Sequence, residues 1–142
     1  MEQDVPLILT FIQELAEYEK AGDQAVATEA DLRETLFGPR PYAEVVIAEL
    51  EGEPVGFALF FHNYSTWLGR PGLYLEDIYV RPHARGRGVG KRLFTYLIDL
   101  ARERRCGRME WVVLDWNEPA IRFYESLGAK GMDDWRLFRL VL

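Results

Sequence analysis

The chain has 142 residues, 49% of them hydrophobic and 28% charged, with a formal net charge of −6; this composition predicts one soluble domain over residues 1–142, long enough for a real core. No apolar run approaches the ~18 residues of a membrane helix, and the acidic start MEQDVPLILTF lacks the positive charge of a secretory leader. The one cysteine, Cys106, excludes an internal disulfide and predicts a reducing, cytoplasmic setting.

In chain order, Ile8, Phe11, Ile12, Leu15 and Tyr18 recur at helical spacing; Asp4 is expected to cap that helix, Pro6 to sit in its first turn and Gly22 to end it. TEADLRETLFG repeats the pattern, with Thr28 as cap and Gly38 as terminator. AEVVIAEL and PVGFALFFH are β-rich runs separated by EGEP, a hairpin signal, and GLYLEDIYV is a third strand. Residues 89–105 form the longest predicted helix, with Val89, Leu93, Leu97, Leu100 and Ala101 on one face. A strand (MEWVVLD), a helix from Asn117 to Gly128 and a closing strand (WRLFRLVL) complete the order. The expected fold is therefore α/β, with a mixed sheet that changes from antiparallel hairpins to a parallel βαβ crossover. A ligand is expected beyond the strand ends where the crossover helix begins.

Residues 81–92, RPHARGRGVGKR, stand in front of that helix. Five of the twelve are Arg or Lys, and without them the formal charge of −6 becomes −11. So acidic a remainder speaks against general nucleic-acid binding, which needs a broad basic face, and favours a cationic substrate. A turn between strand and helix exposes backbone N–H groups, the helix dipole adds partial positive charge, and glycine removes the Cβ atoms that would hold an anion away. A phosphate cradle, a solvated charged turn and an RNA-contacting loop all remain open from these residues alone. A Walker P-loop is excluded, because Arg85 stands where its first Gly should be and Arg92 replaces its Ser or Thr. The glycines also miss the dinucleotide G-x-G-x-x-G spacing.

In LYLEDIYV the aliphatic parity slips between Leu75 and Ile78. One extra residue near Glu76–Asp77 would return Leu73, Leu75, Ile78 and Val80 to one face, as a β-bulge does. An amide freed there could polarise a thioester carbonyl; alternatively Tyr74 and Tyr79 simply pack and the parity carries no message.

The run Arg85-Gly86-Arg87-Gly88-Val89-Gly90 resembles the Q/R-x-x-G-x-G/A signature of the GNAT acetyltransferases. YLEDIYV (74–80), DWNEPAIRFYESLGA (115–129), ELAEYE (14–19) and WRLF (135–138) further resemble the diamine acetyltransferase branch, which includes spermidine/spermine and thialysine acetyltransferases. The resemblance implies acetyl-CoA as donor, no metal, a small cationic primary amine as acceptor and a homodimer. It implies cofactor contacts at Ile78, Tyr79, Val80, Arg85, Gly86, Arg87, Gly88, Val89, Gly90, Lys91, Asn117, Glu118, Pro119 and Ala120. It implies acceptor contacts at Tyr18, Glu19, Trp67, Glu76, Glu110, Trp111, Val112 and Asp133. Tyr124 takes the place of the general acid that protonates the departing thiolate, and Glu76 that of the group receiving the ammonium proton. Without the resemblance, Tyr124 reads as a core aromatic and each acidic residue as a solvated surface charge.

Two departures from the branch matter. Ser65 stands where polyamine enzymes carry Asp, which favours a lysine-like or other small amine over spermidine. The family's first strand, with its Ile-Arg pair, is not in this chain, which starts at the first helix. A non-catalytic acetyl-CoA sensor is the alternative, and it would need no acid–base pair.

Overall fold

A computed structural model describes residues 1–142, which form two compact units, Met1–Val112 and Val113–Leu142. In the first, α1 (Val5–Tyr18) and α2 (Glu29–Phe37) precede β1 (Glu44–Leu50), β2 (Glu53–Ser65) and β3 (Arg70–Val80); α3 (Val89–Glu103) then leads to β4 (Met109–Glu110). The strands lie in the order β1-β2-β3-β4, antiparallel up to β3 and parallel between β3 and β4. This is the expected mixed sheet. The second unit contains one helix, α4 (Glu118–Ser126).

Local chemistry explains most boundaries. Thr28 and Asp31 form a reciprocal capping box at the start of α2. Glu51 and Gly52 both have positive φ, the two-residue geometry whose twist matches that of the β1–β2 hairpin. Helix α1 departs from expectation at both ends. Asp4 makes no capping bond, because its carboxylate pairs with the chain's amino group at 3.0 Å. The helix stops at Tyr18, four residues before Gly22, and Lys20 takes the left-handed conformation with φ 61°.

The β2–β3 register contains the expected bulge. Leu59 pairs with Asp77 and Phe60 with Leu75, so Glu76 is the extra residue. Through that register Leu73, Leu75, Ile78 and Val80 share one face, on which a Cβ added at Gly90 of α3 would meet Val80 Cγ2 at 3.9 Å. Asp77 and Tyr79 turn to the opposite face. There the Phe11, Phe57 and Tyr79 rings pack, Phe11 and Phe57 stacked at 5.4 Å, with Leu15 also buried in the cluster.

The end of β3 is tied down by charge. Arg81 Nε and Nη2 donate to the two carboxylate oxygens of Glu14 at 3.1 and 3.0 Å, Nη1 donates to Pro54 O, and the guanidinium lies 4.7 Å from the Phe11 ring centroid. The Tyr79 hydroxyl donates to the same Glu14. The Arg81 bonds hold the Glu14 carboxyl below its ordinary range, against the opposing effect of burial.

Two expected strands are not formed as drawn. Of residues 109–115 only Met109 and Glu110 pair, and WRLFRLVL contains no strand. An apolar run becomes a strand only when a neighbouring strand satisfies its backbone groups, and neither segment has such a partner over its length. Trp135, Leu137, Phe138, Leu140, Val141 and Leu142 are accordingly exposed.

Removing one partner of a bidentate, half-buried pair leaves the other charge without its bonds. Arg81→Met is therefore expected to lower unfolding stability by about 2 kcal/mol, read as a lower urea midpoint at unchanged slope. A shift below a few tenths of that size would show that the pair does not anchor α1.

Candidate active site

The basic turn sits where β3 gives way to α3. Gly86 and Gly88 have φ of 79° and 81°, and an added Cβ at either would meet nothing within 4 Å. Both are needed for their left-handed backbone rather than for tight packing, and the space in front of them is open. Gly90 has neither constraint, since a Cβ there would make an ordinary contact. The N–H groups of residues 86–88 donate to no backbone carbonyl, and those of the first turn of α3, from Val89 through Lys91, have no intrahelical partner. The turn and the helix start thus present a run of amide donors in a positive field. Arg87 and Lys91 are exposed beside it.

Arg85 is turned away from that surface. Its Nε donates to Val80 O at 2.9 Å, and its guanidinium lies 4.9 Å from the Tyr18 ring centroid and 5.8 Å from that of Tyr79. It locks the turn onto β3 and onto the last residue of α1.

Next to the turn, β3 has a bare edge. Pairing with β4 ends at Tyr74–Glu110, while β3 runs on to Val80. The main chain of Ile78, Tyr79 and Val80 is therefore bonded to a strand on one side only; the Arg85 guanidinium already occupies the Val80 carbonyl, and the rest of the edge is open to an extended ligand. Their side chains serve the two cores.

Three carboxyl groups gather at the bulge. Asp77, which the sequence motifs did not single out, is half-buried, and its pKa is pushed up to about 6 by desolvation and by the charges of Glu76 and Glu19. Glu19, just past the end of α1, is also raised, by burial first and then by Glu76. Glu76 itself is exposed. Asp77 was legible in principle, because one extra residue at Glu76 turns its neighbour inward. Tyr18 and Glu19 arrive from α1, Glu76 and Asp77 from β3.

The remaining expected acceptor residues lie elsewhere. Glu110 is beside Tyr74, where Asn63 Nδ2 donates to its Oε1 at 3.3 Å and Arg108 Nε stands 3.4 Å from the same oxygen. The Trp111 ring packs on Phe94 of α3 with centroids 5.1 Å apart, and Val112 is exposed. Trp67, 87% exposed, is at the tip of the β2–β3 hairpin. From Arg70, which pairs with Ser65 beside that tip, to Glu76 is six residues of strand, or about 20 Å. Ser65 Oγ accepts from Leu68 N and shapes that tip.

In the second unit, Asn117 is the cap of α4. It is buried, and its Oδ1 accepts from Ala120 N at 3.4 Å, with Glu118 and Pro119 in the first turn. Tyr124 is half-buried on the same helix, two turns along and therefore on the same side as Asn117. Its ring lies 5.8 Å from that of Phe123. Asp133 is exposed in a segment without helix or strand.

Residues 10–129 match the family model of the acetyltransferase (GNAT) family. The chain is 41% identical over 149 aligned positions to the thialysine N-epsilon-acetyltransferase of Bos taurus, covering 97% of this chain and 87% of that one. It is 34% identical to the L-ornithine N5-acetyltransferase of Arabidopsis thaliana, covering 96% and 80% respectively. Among solved structures it superposes on the ribosomal-protein-alanine N-acetyltransferase of Brucella melitensis with a TM-score of 0.75 at 26% identity, covering 100% and 96% of the two chains. The glycine turn at the head of α3, the bulged strand before it and a family match that spans most of the sequence make this chain a member of the GNAT acetyltransferase family and an N-acetyltransferase.

Proposed function

We propose that this enzyme is a single-domain cytoplasmic catalyst that transfers the acetyl group of acetyl-CoA to a primary amine of a small cationic acceptor, a lysine-like amine, diamine or polyamine, by direct attack. The observation that carries this is the pairing of opposite chemistries along one strand: acid at the bulge of β3, amide donors and cations at its exit. The amides of Gly86 to Lys91 bind the cofactor pyrophosphate, with Arg87 and Lys91 contributing charge. The open edge of residues 78–80 receives the pantetheine arm as an added strand. Asn117, Glu118, Pro119 and Ala120 line the cofactor as in the family pattern.

Glu19, Glu76 and Asp77 bind the acceptor ammonium, with Tyr18, Trp67, Glu110, Trp111, Val112 and Asp133 as the further acceptor residues implied by the family. A lysine-like amine of pKa ~10.4 is neutral in only about one molecule in 2500 at pH 7, so the site must remove a proton. Exposed Glu76, directly or through water, receives it. The neutral nitrogen attacks the thioester carbonyl, main chain at the bulge stabilises the oxyanion, and Tyr124 protonates the departing thiolate. The family resemblance also implies a homodimer, and the exposed apolar side chains of Trp135, Leu137, Phe138, Leu140, Val141 and Leu142 are surface that a second subunit would cover.

Release of free thiol from acetyl-CoA, assayed across lysine analogues, diamines, polyamines and short peptides, tests the function directly. Turnover with at least one small cationic amine is expected, and none with any of them would refute it. Tyr124→Phe should lower turnover by roughly 10²–10⁴ while acetyl-CoA affinity changes little; unchanged turnover removes Tyr124 from the mechanism. Asp77 must be ionised to hold an ammonium. Its contribution to amine affinity is therefore present above about pH 6 and falls up to about tenfold per unit below it. The same shift has the opposite sign for stability. The folded protein holds this proton more tightly than the unfolded chain, so the group destabilises the fold progressively as pH rises from the ordinary carboxylate range to about 6. In Asp77→Asn the break in amine affinity near pH 6 should vanish, and a break that persists assigns it to another group.

A further inference from the structure

Arg85 occupies the signature position of the glycine turn, yet its guanidinium lies on the α1 face of β3, the face to which Asp77 and Tyr79 also turn. Tyr79 shares that guanidinium with Tyr18, the two ring centroids standing 5.8 and 4.9 Å away. Asp77 feels the charge of Glu19. Two consecutive residues at the end of α1 therefore lie alongside two alternate residues of β3. Arg85 makes the first of these contacts, and the carboxyl groups proposed to hold the amine make the second.

The end of α1 is strained where these contacts meet it. The helix closes in a Schellman pattern, with Lys20 N donating to Glu17 O at 3.0 Å and Ala21 N to Ala16 O at 2.8 Å. That pattern puts Lys20 in the left-handed conformation, with φ 61°, where glycine is the usual occupant and a side chain costs energy. Such strain persists where surrounding contacts fix it. The β3 side of the contact is rigid. The Tyr79 hydroxyl donates to Glu14 at 3.1 Å, Glu14 is held through both oxygens by Arg81, and the Tyr79 ring meets Phe11 edge-on at 6.2 Å. The bond from Arg85 Nε to Val80 O, at 2.9 Å, fixes the guanidinium to the same strand. A cation shared by two aromatic rings thus ties the last residue of α1, and Glu19 directly after it, to β3.

We propose that Arg85 is a positioning residue for the acceptor rather than a ligand of the cofactor: through the Tyr18 ring it holds Glu19 beside Glu76 and Asp77, so that the amine meets a preformed acid cluster. This rests on the acceptor role proposed above for those three carboxyl groups and adds the device that assembles them. Without the guanidinium the end of α1 relaxes, and its ordering has to accompany amine binding. The amine KM then rises while the chemical step is untouched. The turn keeps its shape through the left-handed Gly86 and Gly88, so its amides keep their hold on the pyrophosphate.

The test takes the best amine of the acceptor panel and measures its kcat and KM at saturating acetyl-CoA, together with calorimetric affinity for CoA. The proteins compared are wild type, Arg85→Met, Tyr18→Leu and the double variant. Each single substitution is expected to raise the amine KM about 3- to 10-fold, the range of one cation–ring contact, with kcat and CoA affinity within about twofold of wild type. The double variant should exceed the worse single by no more than about twofold, because both changes remove one contact. Arg85→Lys keeps a cation for the rings and should recover part of the loss. The pH at which amine affinity breaks should also fall in both single variants. Asp77 is faced by Glu76 from β3 and Glu19 from α1, and withdrawal of Glu19 removes both a negative charge and some desolvation. A merely structural loss would leave that break in place. An unchanged amine KM, or additive effects in the double variant, would overturn the proposal. So would an Arg85→Met that weakens CoA more than the amine, which would return Arg85 to the cofactor. Tyr18→Leu keeps the bond to Val80 O and decides the matter if Arg85→Met fails to fold. No turnover of any amine by the wild-type enzyme would instead overturn the acetyl-transfer function, and this proposal with it.

Discussion

One extra residue in β3, Glu76, sets the direction of everything around it. Without it, Ile78 and Val80 would point at α1, and Asp77 and Tyr79 at α3. With it, the aliphatic side chains lie on the α3 face, while Asp77 and Tyr79 turn to the aromatic cluster at α1. The register shift therefore does two jobs. It keeps one hydrophobic layer continuous through a change of parity, and it carries a carboxylate into a half-buried position that an unbroken strand would have given to an aliphatic residue. Burial and two neighbouring charges then raise the Asp77 pKa to about 6. In the proposed function, the acceptor ammonium relieves that unfavourable placement.

The same strand delivers the opposite charge at its exit. Glu14 and Tyr79 fasten Arg81, Arg85 lies against Tyr18 and Tyr79, and the chain then enters two left-handed glycines before α3 begins. Arg81 and Arg85 are consumed in holding the turn, which leaves Arg87, Lys91 and the backbone amides facing outward. Tyr18 links the bulge to the exit of the strand, since the aromatic ring that carries the Arg85 guanidinium is followed directly by Glu19 at the acid cluster. The basic stretch in an acidic chain is thus divided between structural cations and solvent-facing ones. In the proposed function, anion binding by this stretch rests on main-chain geometry more than on its count of arginines.

The bulge was readable from parity alone, because a period-two pattern that slips by one residue has few physical explanations. The glycine turn was readable from its spacing, and the capping box of α2 from Thr28 and Asp31. Other features depend on partners that are remote in sequence. Arg85 looks like a phosphate ligand in RGRGVG, yet its side chain finds a carbonyl and two rings from α1 and β3. Trp111 lies within a stretch that the family resemblance assigns to the acceptor, and its ring packs on Phe94 of α3, a contact no local motif announces. Gly22 is the conventional helix terminator, whereas Lys20 adopts the left-handed conformation before the chain reaches it. WRLFRLVL has strand composition and no strand, since extended structure needs an edge as well as a sequence. Asn117 is both the residue implied at the cofactor and the cap that starts α4, one side chain with two compatible uses.

The central claim is that main-chain nitrogens of residues 86–91 hold the cofactor pyrophosphate. Its most direct test is calorimetric titration of wild-type protein and Gly88→Val with CoA and with pantetheine, which lacks the pyrophosphate and the nucleotide. A β-branched residue cannot hold the φ of 81° found at Gly88 without strain, so the substitution disturbs the amides with little change in charge. CoA should bind the wild-type protein roughly 100-fold more tightly than pantetheine, and the substitution should remove most of that difference by weakening CoA alone. Equal affinity of the wild-type protein for the two ligands, or a CoA affinity indifferent to the substitution, would contradict the account.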